Sequence, residues 1–417
     1  MEIMNYSKVS EYSLMGRKNP KWIVVFLKNK LISFDSILPL ALEINQCCHY
    51  KFYFIVWDYD SYISIVKDNI VLRDMALSIG QIICPGNPNK SIVSNKINKI
   101  ILLASVVYKL YLKSSYIFHF GALDRPPLSL LTKLIRKNKR ARCESALSGR
   151  YTENLKHIME VGNIIDKKKY IWQQRSSQET FDKFMIGKYP LNNSGVLFGF
   201  DSSWNWLKHP DAINCKKLVF KEGKKAKSYT SFMEKNSDYY LRMEKLIDLD
   251  KTKTIIFILG HFGYSCGDVR NKLFYDALVV LRELQFNIII KPHIFCDMGL
   301  VQSIIKKAKC PDEKVFFTKI SPQVLQKIAI GGLFINTSTV RCDYKNAGFP
   351  IIQYSGGFGF SDVKIDSCSD IHCSDQSQLT NSLKILMKKF NDKKIIIKEN
   401  EETIKSCDRL KKVLGMN

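Results

Sequence analysis

The stretch GLFINTSTVRCDYKNAGFPIIQYS, residues Gly332–Ser355, decides how the second half of the chain folds. An apolar run at Leu333–Ile335 has the character of a buried strand, and it ends at the polar segment Asn336–Thr339. Helical spacing follows as far as Gly348, and a second apolar run begins after Pro350. The order strand, helix, strand predicts a βαβ unit and therefore a parallel sheet.

The same alternation runs through both halves of the chain. In the first half, segments with helical spacing separate strand-like runs at 22–26, 51–56, 82–84, 116–120 and 141–146. The alternation resumes later with strand-like runs at 254–259, 286–290, 314–317, 333–335 and 351–354. We therefore expect an α/β protein with two doubly wound, Rossmann-like lobes that face a central cleft.

The length of 417 residues also favours two domains, since 46% of the residues are hydrophobic and can fill more than one core. The predicted division is an amino-terminal lobe at 1–228, a connector helix at 229–251, and a carboxy-terminal lobe at 252–395. A carboxy-terminal helix at 396–417 is predicted to pack back on the first lobe. In open α/β sheets, ligands lie beyond the carboxyl ends of the strands, so the candidate chemistry is sought there.

Three hydroxyl residues, Thr337, Ser338 and Thr339, stand between a predicted strand and a predicted helix. Backbone N–H groups and the helix dipole favour an anion at this position, and hydroxyls can donate to a phosphate there. Asp343 follows Thr339 by about one helical turn, where its carboxylate can accept hydrogen bonds from ribose or sugar hydroxyls. The alternative is that Thr337 or Ser338 only caps the helix and Asp343 only favours its amino end.

Two further loops leave predicted strands of the second half. The run IIIKPH delivers Lys291, a point charge for phosphate, and His293, which can donate to a phosphate or to a leaving-group oxygen. The loop GHFGYSCG at 260–267 contains Gly263, and glycines let a substrate approach the backbone closely. A packed histidine and an ordinary strand-to-helix turn are the alternatives for these two loops.

The first half offers candidates for a general base that would act on an acceptor hydroxyl. Asp124 follows a predicted strand in FHFGALDRPP, and we expect it to be the base. His119 and Glu144 occupy similar strand-end positions. The alternatives are that Asp124 serves as a turn residue before Arg125 and that Glu144 pairs with a nearby arginine.

The sequence predicts no metal centre. The twelve cysteines show no C-x-x-C pair and no spacing typical of a metal site. Asp58 and Asp60 match the short D-x-D pattern that holds a divalent ion in some sugar transferases, but this pattern is frequent by chance. We also expect no resident cofactor.

Taken together, the glycine-bearing loop, IIIKPH and FINTSTVRCDYKNAGFPIIQY resemble the donor-binding half of GT-B glycosyltransferases. The resemblance covers residues 254–360. Within this range the motifs are most similar to those of bacterial surface-polysaccharide enzymes. These include polysialyltransferase-like enzymes, capsule-type sialic acid or Kdo transferases and CDP-glycerol glycerophosphotransferases. It implies that His293 and the hydroxyls of Thr337–Thr339 contact the phosphate of a nucleotide.

The resemblance implies a metal-independent glycosyltransferase of capsule, O-antigen or lipooligosaccharide synthesis. Its partners would be a nucleotide-sugar co-substrate, with CMP-linked sugars among the candidates, and a glycan acceptor that can be lipid-linked. The resemblance also implies that the lobe at 252–395 binds the nucleotide sugar and that the lobe at 1–228 is the acceptor-side lobe. Nucleotide-sugar 2-epimerases share the two-lobe fold and remain an alternative.

The net charge of +25 favours anionic partners. The basic runs Lys133–Arg142 and Lys221–Lys227 are candidates for contact with an anionic inner membrane. A non-catalytic nucleic-acid-binding protein is a second alternative, although no RNA- or DNA-binding signature is present, and we expect no nucleic-acid partner. The polar amino terminus does not resemble a secretory signal, so we expect a cytoplasmic protein with peripheral contact at the inner face of the membrane.

Overall fold

The computed structural model describes residues 21–27, 31–86, 89, 91–112, 116–120, 134–143, 195–199, 215–220, 223–259, 267–293, 296–335, 338, 340–354, 370–392 and 403–414. Within them the chain forms two compact units. The first contains the described residues of 21–143, 195–230 and 403–414, and the second contains those of 231–392.

The first unit is built on a parallel sheet of seven strands. These are β1 (Trp22–Phe26), β2 (Lys51–Ile55), β3 (Gly80–Ile83), β4 (Tyr116–Phe120), β5 (Arg140–Cys143), β6 (Val196–Gly199) and β7 (Lys216–Val219). Their spatial order is β3-β2-β1-β4-β5-β6-β7, and every neighbouring pair is parallel. The direction of winding therefore reverses between β1 and β4.

Four helices accompany the first strands of this sheet. They are α1 (Leu31–Cys48), the short α2 (Tyr59–Ser61, continued by a π-helical turn at Tyr62–Lys67), α3 (Ile70–Ile79) and α4 (Ile92–Leu112). Helix α4 begins earlier than the apolar pattern alone predicts because the Ser91 hydroxyl accepts from the backbone N–H of Ser94, at 3.1 Å. The helical spacing of residues 62–79 predicts one helix, but this helix is interrupted at Asn69, whose side-chain amide donates to the carbonyls of Ser64 and Ile65.

The second unit contains a parallel sheet of six strands. They are β8 (Thr254–Ile258), β9 (Asn287–Lys291), β10 (Val315–Phe317), β11 (Gly332–Phe334), β12 (Ile351–Tyr354) and β13 (Ile371–Cys373). The spatial order β10-β9-β8-β11-β12-β13 again reverses beside the first strand of the unit. Almost all residues of β8, β9, β11 and β12 are buried, because helices cover both faces of a parallel sheet.

The remaining helices are α5 (Lys227–Met243), α6 (Gly267–Glu283), α7 (Met298–Lys307), α8 (Pro322–Leu325), α9 (Val340–Asn346), α10 (Gln376–Asp392) and α11 (Thr403–Val413). The boundary between the two units falls within α5. Helix α11 belongs to the first unit, where it packs against α1, and the Tyr116 hydroxyl donates to the Leu414 carbonyl. The predicted α/β class and the doubly wound winding of both sheets are confirmed.

Three strands, β6, β7 and β13, were not among the predicted strands, and each has only three or four residues. The sequence also predicts a helix at 127–136, opened by prolines, and this segment lies largely outside the described residues. Within the described residues, no helix is both long and apolar enough to cross a bilayer.

Candidate functional site

The carboxyl ends of three neighbouring strands stand level in the second sheet. Ile258 of the central strand β8 aligns with Lys291 of β9 on one side and with Phe334 of β11 on the other. Adjacent strands lie about 4.8 Å apart, so β9 and β11 end about 10 Å from each other. The loops after Lys291 and Phe334 therefore leave the same edge of the sheet on either side of β8, where the winding reverses.

Lys291 and His293 are both half-buried at this edge. The Lys291 ammonium donates to the backbone carbonyl of Lys319, at 3.1 Å. Lys319 follows β10, so the charged end of Lys291 lies on the β10 side of β9. The His293 carbonyl accepts from the N–H of Cys296, at 2.9 Å.

Ser338 is a half-buried residue at the start of α9. Its hydroxyl oxygen accepts from the N–H of Val340, at 3.3 Å, and its carbonyl accepts from the N–H of Arg341, at 3.2 Å. The capping role considered for this residue is therefore present. A hydroxyl that accepts a bond still has its own hydrogen to donate, so capping and oxyanion binding are compatible. Thr337 and Thr339 lie outside the described residues.

Asp343 is half-buried on α9 and is oriented by the neighbouring helix α8. Its carboxylate accepts from the Gln323 side-chain amide, at 3.1 Å, and Gln323 in turn accepts from the Ser321 hydroxyl. Tyr344, the next residue, is fully buried, and its hydroxyl donates to the Pro322 carbonyl, at 3.2 Å. Burial, and secondarily the Asp343 carboxylate, raise the pKa of Tyr344 well above its usual value. The carboxylate is thus held in place while further acceptor positions remain on its oxygens.

Sequence patterns missed a buried polar pair behind this edge. Arg341, in the first turn of α9, is fully buried and donates to the side-chain oxygen of Gln353, at 2.7 Å. Gln353 of β12 aligns with Phe334, so the pair stands level with the strand ends. Two features of the sequence could have indicated this pair. Arg341 follows the hydroxyl segment by two residues, and Gln353 is a polar residue inside the apolar run IIQY. A guanidinium here adds positive charge beneath the loop that contains Ser338.

The described candidates of the first unit do not form an accessible base. His119 of β4 aligns with Arg142 of β5, and both side chains are buried in the sheet. An imidazole that is 1% exposed has no access to an acceptor hydroxyl. The loops that contain Asp124, Glu144 and Gly263 lie outside the described residues.

No metal cluster is found in the described part of the chain, where no group of three His, Cys, Asp or Glu residues could hold an ion. Asp58, from the D-x-D pattern, accepts from the N–H of Ser61 at 2.8 Å and so caps α2.

No protein-family model matches the sequence, and no curated protein matches it either. Solved structures do match. The UDP-GlcNAc 2-epimerase from Methanocaldococcus jannaschii has a TM-score of 0.53 and 13% identity, over 94% of this chain and 99% of that chain. The UDP-GlcNAc 2-epimerase from Neisseria meningitidis, bound to UDP-GlcNAc, has a TM-score of 0.50 and 13% identity, over 95% and 100%.

A third match is WaaG, a glycosyltransferase involved in lipopolysaccharide biosynthesis, with a TM-score of 0.41 and 10% identity over 95% of both chains. The two epimerase structures show the fold of this chain. It is the α/β fold of GT-B type, with two Rossmann-like units.

Proposed function

We propose that this chain is a glycosyltransferase that moves a sugar from a nucleotide-activated donor to a glycan acceptor of a surface polysaccharide. One observation carries the proposal. Lys291 and Phe334 end their strands level with each other at the reversal of the second sheet. Lys291 itself supplies a cation, and the residues after the two strand ends add the His293 imidazole and the Ser338 hydroxyl at the edge where open α/β sheets bind nucleotides.

In this proposal the donor phosphate lies over the end of β8. The hydroxyl of Ser338, together with those of Thr337 and Thr339, donates to the phosphate oxygens. His293 and Lys291 offset the negative charge that develops on the departing nucleotide, which is the form of stabilisation that acts in the transition state.

The remaining roles are proposed from the chemistry of the residues and their place in the sequence. Asp343, held by Gln323, accepts hydrogen bonds from ribose or sugar hydroxyls. Gly263 allows the donor to approach the backbone. Asp124 of the first unit removes the proton of the acceptor hydroxyl as the bond to the sugar forms.

A second candidate function is nucleotide-sugar 2-epimerisation. It is favoured by the two epimerase structures, whose folds match nearly the whole of both chains. Incubation with a donor and no acceptor separates the two activities. An epimerase converts the donor to its isomer until equilibrium is reached, whereas a transferase releases free sugar slowly by hydrolysis and leaves the remaining donor unchanged.

The first test is a thermal-shift screen with CMP-, UDP-, GDP- and CDP-linked compounds. The proposal expects one nucleotide class to raise the melting temperature by several degrees at saturating concentration, because a ligand that binds the folded state stabilises it. Turnover of the donor identified in this way is then compared between wild type and His293→Gln.

The matched control is His372→Gln. His372 is exposed and stands at the same level of the sheet, since it aligns with Gln353, but on the edge strand β13. The proposal expects His293→Gln to lower turnover by at least tenfold and His372→Gln to leave it unchanged. Wild-type turnover in His293→Gln, or no shift with any nucleotide, would remove the assignment.

A further inference from the structure

Helix α4 of the first unit exposes a large apolar surface. Six of its apolar residues are at least half exposed: Ile92 (76%), Val93 (65%), Ile97 (50%), Ile100 (65%), Ile101 (61%) and Tyr108 (54%). These residues lie within one half of the helix circumference, and together with the exposed Lys96 we name them the α4 face. On the opposite side of the helix, Leu102 and Val106 are buried in the core cluster that contains Ile117.

Such a helix is apolar on both sides, whereas a surface helix of a globular protein is polar on the side that meets water. The α4 face extends from Ile92 to Tyr108, about 24 Å along the helix axis. A contiguous apolar stripe of this length on a folded protein is typical of an interaction surface.

The segment that contains α4 is basic in sequence. Residues 91–143 contain eleven lysines and arginines and a single acidic residue, Asp124. Ile135 packs into the same core cluster as Leu102 and Val106, and the adjacent Leu134, Arg136 and Lys137 are exposed.

Helix α4 contains Lys96, Lys99 and Lys109 and no acidic residue, and Lys96 is exposed. An occupant of the α4 face therefore has to be apolar where it meets the isoleucines and anionic near Lys96 and the basic residues Arg136 and Lys137.

We propose that the α4 face docks on an anionic lipid bilayer, with α4 lying parallel to the membrane and its isoleucines in the headgroup region. Amphipathic helices with lysine and arginine flanks bind in this manner, through apolar burial and attraction to acidic headgroups. Leu134, Arg136 and Lys137 extend the contact.

The charge pattern disfavours a second copy of the chain as the occupant. In a two-fold dimer the same surface meets itself. Lys96, Arg136 and Lys137 would then face basic residues of the other copy. Like charges opposed across an interface lower the affinity. The α4 face does not include Lys221–Lys227, the other basic run that the sequence offers for membrane contact. Membrane docking through the α4 face does not depend on the glycosyl transfer proposed for the second unit.

The test is co-sedimentation of the full-length protein with vesicles. One set contains phosphatidylglycerol and phosphatidylethanolamine, and the other contains phosphatidylcholine alone. The wild-type protein should sediment with the phosphatidylglycerol vesicles and only weakly with the neutral ones. The triple variant Ile97→Gln/Ile100→Gln/Ile101→Gln should bind at least tenfold more weakly while its melting temperature stays unchanged, because these side chains are exposed and glutamine favours helix.

The matched control replaces three equally exposed apolar residues of the second unit, as Tyr239→Gln/Met243→Gln/Ile385→Gln, at 56%, 49% and 51% exposure. It should bind vesicles as the wild type does. A second variant, Lys96→Glu, should weaken binding to phosphatidylglycerol vesicles by about fivefold per unit of charge and leave binding to neutral vesicles unchanged.

Three outcomes would overturn the proposal. One is a wild-type protein that does not sediment with phosphatidylglycerol vesicles. Another is equal binding by the wild type and the isoleucine triple variant. The last is a wild-type dimer in analytical ultracentrifugation that this triple variant dissociates, because the α4 face would then be a contact between two copies of the chain.

Discussion

Lys291 and Phe334 stand at the same level of the second sheet because each aligns with Ile258 of the strand between them. His293 and Ser338 follow these two strand ends by two and four residues. A ligand placed over Ile258 would therefore meet an imidazole loop on one side and a hydroxyl loop on the other. The predictions for this edge separate ligand binding from the structural roles that the same side chains already have.

Ser338 offers the sharpest separation, because its hydroxyl already caps α9. Ser338→Asp keeps a good capping acceptor but places a negative charge where the phosphate is proposed to bind. We expect its melting temperature without ligand to stay within about 2 °C of wild type, and its nucleotide affinity to fall at least tenfold in calorimetric titration. Ser338→Ala removes both the capping acceptor and the hydroxyl proposed to bind phosphate. We expect it to lose nucleotide affinity and to lower the free energy of unfolding by about 1 kcal/mol. Wild-type affinity in Ser338→Asp would show that the hydroxyl only caps the helix.

Lys291 is expected to act as a point charge. Its ammonium now donates to the Lys319 carbonyl, a backbone group that substitution of Lys319 leaves in place. Lys291→Met should weaken nucleotide binding by about tenfold at low salt and reduce the dependence of affinity on ionic strength. Lys291→Arg should retain most of the affinity. The control is Lys319→Met, at an exposed position, which should bind as the wild type does. Equal losses in Lys291→Met and Lys319→Met would indicate a general effect of surface charge.

The strand ends of the second unit were predictable from the sequence because long apolar runs end abruptly in polar residues. Runs such as IIIKPH and GLFINTS fix a strand and its last buried residue with little help from the rest of the fold. The polar residues that follow such a run must leave the sheet at its carboxyl edge. This is why Lys291, His293 and Ser338 could be assigned to one edge before the order of the strands was known.

Other features depend on tertiary packing and carry little local signal. The lateral order of the strands decides that β9 and β11 both flank β8, and no residue in these strands encodes that order by itself. His119 appears in the sequence as an accessible strand-end histidine, but its neighbours in the sheet bury it. The bond between Arg341 and Gln353 joins a helix to a strand residue twelve positions later in the sequence, and its burial becomes evident only when the sheet is assembled.

The Arg341–Gln353 pair is expected to stabilise the second unit strongly. Gln353→Leu removes the acceptor from a buried guanidinium and should lower the free energy of unfolding by about 2–3 kcal/mol, measured in urea. Arg341→Met combined with Gln353→Leu should be less destabilised than the sum of the single variants, because the buried charge is gone. The exposed Gln376 provides the control: Gln376→Leu should change stability by less than about 0.5 kcal/mol. Additive single effects would contradict coupling within the pair.

Stability at alkaline pH should report on Tyr354, a buried residue at the end of β12. Burial, followed by the carboxylates of Asp276 and Asp375, raises the pKa of Tyr354 to about 12. The folded state therefore keeps a proton that the unfolded chain loses near pH 10, so this stabilising contribution is fully present below pH 10. It is lost as the pH rises from about 10 to about 12, where the free energy of unfolding should fall.

The variant Tyr354→Phe has no phenol to ionise, so its free energy of unfolding should fall less steeply above pH 10 than that of wild type. The two plots of unfolding free energy against pH should differ in slope by about 1.4 kcal/mol per pH unit, the value for release of one proton. Urea unfolding at a series of pH values measures both slopes. Tyr239→Phe, at an exposed position, is the control for the loss of a tyrosine hydroxyl as such. Parallel curves for Tyr354→Phe and wild type would mean that Tyr354 ionises equally in both states, and that water reaches its hydroxyl despite the packing around β12.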